Sequence, residues 1–318
     1  MEFIYETKNY QEMKRRFTID KPMPPLWLRY PHISPLSIGW RMGDGADYRF
    51  DLYDWLETLS ENEKKQYNEM FPPPRMWRKY YLEHDLYKQY YEPGTGNYGV
   101  DLWRKNGKPT YSKEWLVAND DDVEFEFFWK PGDIEHEPAC CLGQWQYSYF
   151  ENITGKYTCA EQYMMAEKAR VFDDKKTEQL IMTTTDPKQM KALGRKVKNF
   201  NGNVWDKVKY SVVLNGNYLK FSQNKNMRDI LLATGNKILV EASPLDKIWG
   251  IGYSKSDAEA TNPQNWRGSN LLGFALMEVR DELKRVYQNY EKIDWEHFDS
   301  LSNTNNERVL SKVHSFPV

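Results

Sequence analysis

The sequence predicts an α+β protein in which helices outnumber strands. Three observations carry this expectation. Past residue 155, apolar residues recur at helical spacing over several long stretches. Two short runs, 123–129 and 237–242, read instead as strands. Between them, helix-capping and helix-stopping residues punctuate the chain.

The elements follow in order. The first third is rich in Trp, Tyr and Pro and carries short pieces at 26–30, 37–42 and 99–104. Asn106-Gly107 reads as a hairpin turn. Residues 53–70 interleave charges with Leu56, Leu59 and Tyr67, which suits a surface helix stopped by Pro72-Pro73-Pro74. Asn119-Asp120-Asp121-Asp122 reads as a solvated connector or the cover of a helix start. In strand 123–129, Val123, Phe125 and Phe127 share one face against Glu124 and Glu126. A helix opens at Thr158, and Asp186-Pro187 starts another toward Val197. Residues 204–224 and 226–234 read as helices, with Gly235 as a left-handed stop. After strand 237–242, a helix over 270–290 buries Leu272, Leu276, Val279, Leu283 and Val286. The tail past Asp294 is polar. The expected divisions are an N-terminal extension or small α+β module over 1–120, a main domain over 121–292 and a tail over 293–318.

Bulk composition narrows the function. The 318 residues hold 44 basic and 46 acidic side chains for a net charge of −2, which excludes a strongly basic coat protein for nucleic acid but leaves room for a local basic patch. There is no signal-peptide pattern and no apolar run near the ~20 residues that span a bilayer, so no membrane partner is expected. Cys140, Cys141 and Cys159 make neither a disulfide framework nor a zinc set, which points to the cytoplasm. His32, His84, His136, His297 and His314 form no metal-binding grouping, so no metal and no cofactor are expected.

The stretch from Tyr157 to Ala169 carries the most chemistry. Thr158 and Glu161 have capping-box spacing. Glu161 and Lys168 lie about two helical turns apart, roughly 10 Å along the axis, and share a face. Cβ vectors tilt toward the helix N-terminus, so Lys168 leans back toward Glu161. The pair reads either as a cap and a solvated lysine or as two arms of a site.

Ordered strings along the chain decide between these readings. They are Gly143-Gln144-Trp145; Ala160-Glu161-Gln162-Tyr163-Met164-Met165-Ala166-Glu167-Lys168-Ala169; Ala192-Leu193-Gly194-Arg195; Gly216-Asn217; Lys220-Phe221 with Gln223-Asn224; Leu239-Val240-Glu241-Ala242-Ser243-Pro244; Asp246 with Ile248-Trp249-Gly250; and Asn270-Leu271-Leu272-Gly273 with Leu276-Met277. In this order, residues 123–287 closely resemble the NADAR (YbiA-like) family of N-glycosidases. One string departs: many relatives have Trp-Tyr-Pro after the glutamine, where this chain has Trp145-Gln146-Tyr147.

The resemblance implies a mostly α-helical α+β fold with a polar cleft for ribosylated substrates. It implies cleavage of a bond from ribose C1 to nitrogen. The leading substrate is ADP-ribosylated guanine in nucleic acid, with a DarT-type ADP-ribosyltransferase toxin as counterpart. The alternative is a ribosylamino-pyrimidine intermediate of riboflavin synthesis. A non-catalytic ADP-ribose or NAD sensor is a third reading, disfavoured because Glu161 and Lys168 are both present. Cleavage develops positive charge at C1, which a carboxylate can stabilise while an acid protonates the leaving nitrogen. Glu161 and Asp246 are the expected carboxylates, although Asp246 also suits a turn cap. Lys168 is expected as a nucleophile on a ring-opened imine or as an electrostatic clamp. Gln144, Trp145, Tyr163, Arg195, Trp249, Gly250 and Asn270 are expected around the substrate. Trp145 and Trp249 offer flat faces, and Gln144 and Asn270 offer amides. Arg195 would bind phosphate or satisfy helix-end carbonyls, and Asn270 equally suits a helix cap.

Overall fold

The computed structural model describes residues 17–35, 37–42, 44–77, 109–119 and 122–295. The proposed Asn106-Gly107 turn, the piece at 99–104 and the tail past 295 lie outside the described residues. The fold is α+β, as expected, with helices over most of the described chain and two small two-stranded sheets.

The described residues fall into two compact units. Among them, one draws on residues within 17–30, 37–73 and 286–295, the other on residues within 31–35, 74–77, 109–119 and 122–285. In the first, helices α1 (Leu26–Arg29), α2 (Asp44–Glu57) and α3 (Glu61–Met70) enclose an aromatic core. The fully buried Trp55 donates to the Phe17 carbonyl at 3.1 Å and meets the Tyr67 ring edge-on at 5.3 Å. The single helix expected over 53–70 is two helices. Ser60 breaks it, because its side chain and Glu63 form a reciprocal capping box that starts α3.

The second unit holds α4 (Lys113–Val117) and everything from β1 (Phe125–Phe128) to α10 (Leu271–Val286). Strand β1 pairs in parallel with β4 (Ile238–Glu241), from Phe125 opposite Ile238 to Phe128 opposite Glu241. The expected inner face of β1 is only half-buried, while Phe128, on the other face, is the buried residue. A hairpin of β2 (Phe150–Asn152) and β3 (Gly155–Tyr157) leads into α5 (Ala160–Val171). There follow α6 (Lys175–Thr183), α7 (Pro187–Gly194), α8 (Gly202–Gln223) and α9 (Lys225–Ala233). Asp186 caps α7 through the Lys188 N–H at 3.0 Å, and Gly235 stops α9 at φ +62°, both as the sequence predicts. The α10 stripe of Leu272, Leu276, Val279, Leu283 and Val286 is fully buried. Burying each leucine contributes about 1.5–3 kcal/mol. No described helix is long and apolar enough to cross a membrane.

Helix α5 sits against both α7 and α8. Its approach to α7 depends on Gly194, where an added Cβ would lie 2.0 Å from the Met165 sulfur. This contact places the end of α7 beside the Glu161–Lys168 face of α5.

Candidate active site

A cleft of about 890 Å³ opens in the second unit, between the carboxyl ends of β1 and β4, α5 and α7. Residues just past parallel strands collect there for a geometric reason: both chains leave the sheet on the same edge. Trp129 and Lys130 follow β1, while Glu241 closes β4 and precedes Ser243 and Asp246.

Glu161 enters from the first turn of α5. The capping box expected of it does not form. The helix begins at Ala160 with Cys159 as its cap, so Glu161 falls one position short of the box, and the reaching-back side chain is Gln162. Gln162 Oε1 accepts the Thr158 N–H at 2.8 Å and its hydroxyl at 3.1 Å. Glu161 is left buried in the cleft wall, its N–H donating to the Gln144 carbonyl at 3.0 Å. Its Oε1 is shut from solvent and has no hydrogen-bond partner among the described residues. Burial pushes its pKa up to about 7 and the Asp246 charge adds to the rise, against the pull of Lys191, a hydrogen bond from Trp145, and Arg195.

Lys168 lines the same cleft two turns along α5, so the predicted shared face is real. Its Nζ lies 4.2 Å from the Phe200 ring centre and 5.7 Å from that of Trp205. Burial lowers its pKa, and the nearby Arg195 charge lowers it further, with Glu161 opposing. The preceding residue shows how sharply the helix divides its duties. Glu167 points away from the cleft, where the Arg170 guanidinium binds it and also donates to the Tyr157 hydroxyl at 2.8 Å and to Glu178 at 2.7 Å.

Asp246 lies in the cleft and caps its own turn as well. Oδ1 accepts the Ile248 and Trp249 N–H groups at 3.0 and 2.9 Å, and Oδ2 faces Lys191 Nζ at 3.4 Å. Gln144, Trp145, Arg195 and Trp249 also line the cleft. Gln144 is steadied by an Asn217 amide at 3.3 Å. The exposed Arg195 has no side-chain hydrogen bond or ion pair among the described residues, so it is left free for a ligand.

Three expected substrate contacts lie elsewhere. Tyr163 is buried in an aromatic cluster, 5.0 Å from the Tyr157 ring and packed over Gly216. It leaves α5 on the face away from the cleft. Asn270 is fully buried, and its side chain accepts the Glu241 N–H at 3.0 Å and donates to the Leu239 carbonyl at 2.9 Å. It clamps β4 instead of touching the cleft. Gly250 stands behind Trp249, where a Cβ would fall 2.8 Å from the Glu241 carbonyl, so it holds the loop against β4.

The structure adds residues that sequence reasoning did not single out. Glu241 is the chief one, a lone acid ending an apolar strand inside a matched string. Its Oε2 is shut from solvent without a hydrogen-bond partner. Burial raises its pKa to about 8, with Asp246 and Glu161 adding and Lys191 opposing. Lys130, Lys188, Lys191 and Lys247 bring further positive charge to the cleft, and Trp205 closes one wall. Among the described residues, no three His, Cys, Asp or Glu side chains converge in a metal-binding group.

Comparison with known proteins finds relatives over the second half of the chain. A model of the NADAR domain matches residues 127–284. The chain is 50% identical over 127 residues to N-glycosidase R617 of Acanthamoeba polyphaga mimivirus, a match covering 40% of this chain and 75% of that protein. It is 45% identical over 130 residues to Protein irg-1 of Caenorhabditis elegans, covering 40% and 61%. It is 31% identical over 132 residues to N-glycosidase YbiA of Escherichia coli K12, covering 41% and 74%. The NMR structure of E. coli YbiA aligns with a TM-score of 0.41 at 25% identity, over 51% of this chain and 86% of that one.

Proposed function

The chain belongs to the NADAR family, and from that premise we propose that this N-glycosidase removes ADP-ribose from guanine bases in nucleic acid. One observation carries the reading. A buried carboxylate with an unpartnered oxygen, Glu161, shares a single cleft with a half-buried lysine whose pKa is drawn down. That pairing suits an amine-linked ribose.

The chemistry follows from what each group can do. The sugar ring opens when the base nitrogen pushes its lone pair onto C1, the C1–ring oxygen bond breaks and that oxygen takes a proton. The resulting iminium is an electrophile. Lys168, its pKa lowered by burial and by Arg195, attacks C1 from its neutral form, and the iminium electrons return to the base nitrogen. A proton passes from the lysine nitrogen to the base nitrogen through the carboxylates. The base departs with the C1–N bond electrons, leaving C1 joined to Lys168 as an iminium. Water then adds at C1 and gives up its proton to Glu161, and collapse of the adduct frees the lysine and the sugar. Asp246, tied down on both oxygens, supplies fixed negative charge near each cationic stage.

Two features favour ADP-ribose over a sugar with a single phosphate. The cleft volume lies near the top of the range for sites that enclose whole small molecules. Lys188, Arg195 and Lys247 carry no side-chain ion pair among the described residues, which leaves positive charge for more than one phosphate. A guanine-modifying transferase of the DarT type is the natural counterpart, and the three buried thiols suit a reducing cytoplasm. The test is to incubate the purified protein with guanine-ADP-ribosylated DNA and, separately, with the ribosylamino-pyrimidine intermediate of riboflavin synthesis. Mass spectrometry should show free ADP-ribose and restored guanine from the first. Turnover of the pyrimidine alone would reassign the substrate.

A further inference from the structure

We propose that Glu241 is a second catalytic carboxylate, the acid that protonates the departing base nitrogen while Glu161 serves as the base toward water; this rests on the N-glycosidase reading of the cleft. Glu241 closes β4 at the edge where the parallel sheet opens into the cleft, opposite Phe128 and beside Trp129. Glu161 reaches the cleft from α5, a different wall. Two carboxyl groups on separate elements can serve the two ends of one breaking bond, where a single carboxylate would have to exchange roles between steps.

Glu241 is also held to this position. Asn270 takes its N–H at 3.0 Å and donates to the Leu239 carbonyl at 2.9 Å, while the Ile251 N–H donates to the Glu241 carbonyl at 3.0 Å. The backbone is therefore fixed from both sides, yet Oε2 is shut from water with no hydrogen-bond partner. Leaving such a group unpaired carries the full cost of its desolvation. Among the described residues nothing uses that oxygen, so a substrate group is its natural partner.

The charges facing Glu241 set its protonation. Asp246 and Glu161 disfavour its anion and Lys191 favours it, and burial outweighs them all, so its pKa reaches about 8. Glu161 is likewise pushed up, to about 7. Near neutral pH the two carboxyls therefore hold a proton between them, so one can give a proton while the other accepts. In the step itself, Glu241 gives a proton to the ring oxygen as the sugar opens and takes one back from the Lys168 nitrogen after attack. The C1–N bond then breaks toward nitrogen, Glu241 gives that nitrogen its proton, and C1 becomes the iminium on Lys168. Water then bonds to C1 and its proton passes to Glu161. Proton transfer from Glu161 back to Glu241, directly or through water, restores both groups.

The test uses the full chain on a guanine-ADP-ribosylated oligonucleotide. Glu241→Gln should lower kcat about a hundredfold with KM changed less than threefold, and the alkaline fall of the kcat/KM profile should disappear. Glu241→Asp, which keeps a proton to give, should run at least tenfold faster than the Gln variant and shift that alkaline limb. A Gln variant within threefold of wild type with an unchanged pH profile overturns the proposal. So does an Asp variant no better than Gln. Should the Gln variant fail to fold, an Asp variant with an unmoved alkaline limb overturns it alone. A wild-type protein that cleaves no ribosylated substrate overturns the N-glycosidase reading, and the proposal falls with it.

Discussion

Gln162 Oε1 accepts the Thr158 backbone N–H at 2.8 Å, while the same side chain donates to the Ile181 and Thr184 carbonyls at 3.1 Å each. One amide thus ties the start of α5 to the end of α6. The residue before it, Glu161, is released from capping and given to the cleft.

Gln162→Ala should therefore destabilise the fold. It leaves one N–H and two carbonyls without this partner, at a cost of about 2–4 kcal/mol for the set. Chemical denaturation would measure it. An unchanged midpoint would mean that water replaces the amide freely.

Glu161→Gln should cut turnover at least a hundredfold and change stability in a pH-dependent way. Burial raises the Glu161 pKa from its ordinary 4.5 to about 7, so the folded state holds a proton that the unfolded chain releases earlier. This contribution is fully present below pH 4.5 and is lost as pH rises through about 7. By pH 8.5 the wild type has given up on the order of 3 kcal/mol that the Gln variant keeps. The melting temperature of the variant should gain on wild type by several degrees between pH 5 and 8.5. A difference that stays constant with pH would show that Glu161 ionises as freely as it does in water.

Glu167→Ala should behave in the opposite manner. It removes the buried carboxylate that pairs with Arg170, and breaking such a pair costs about 3–5 kcal/mol. Melting should shift down sharply, while protein that remains folded at low temperature keeps most of its turnover. Loss of turnover with no loss of stability would move Glu167 into the site.

These neighbours also show what the sequence could and could not reveal. The capped start of α7, the stop at Gly235 and the buried stripe of α10 follow local rules, and they were legible. The Glu161–Lys168 face was legible because helical geometry alone sets it. The capping box of Glu161 was misread, because a one-residue shift in the start of α5 transfers the reaching-back contact to Gln162. Helix α6 escaped notice because it buries only Thr177 and Ile181, too few for a visible stripe. Glu241 was hidden because its place depends on parallel pairing with a distant strand. Tyr163 and Asn270 lie in family strings, yet a matching string does not separate a residue that builds the cleft from one that touches substrate.

The central claim is that Lys168 attacks ribose C1 from a cleft whose carboxylates manage the protons. Borohydride added during turnover of guanine-ADP-ribosylated DNA, followed by peptide mass spectrometry, tests it most directly. The Lys168–C1 iminium should be reduced to a stable amine, so a ribosyl adduct should appear on Lys168 and be absent from Lys168→Arg. Undiminished turnover with no adduct, together with substantial activity in Lys168→Arg, would contradict the claim and leave this lysine as a fixed positive charge beside Glu161.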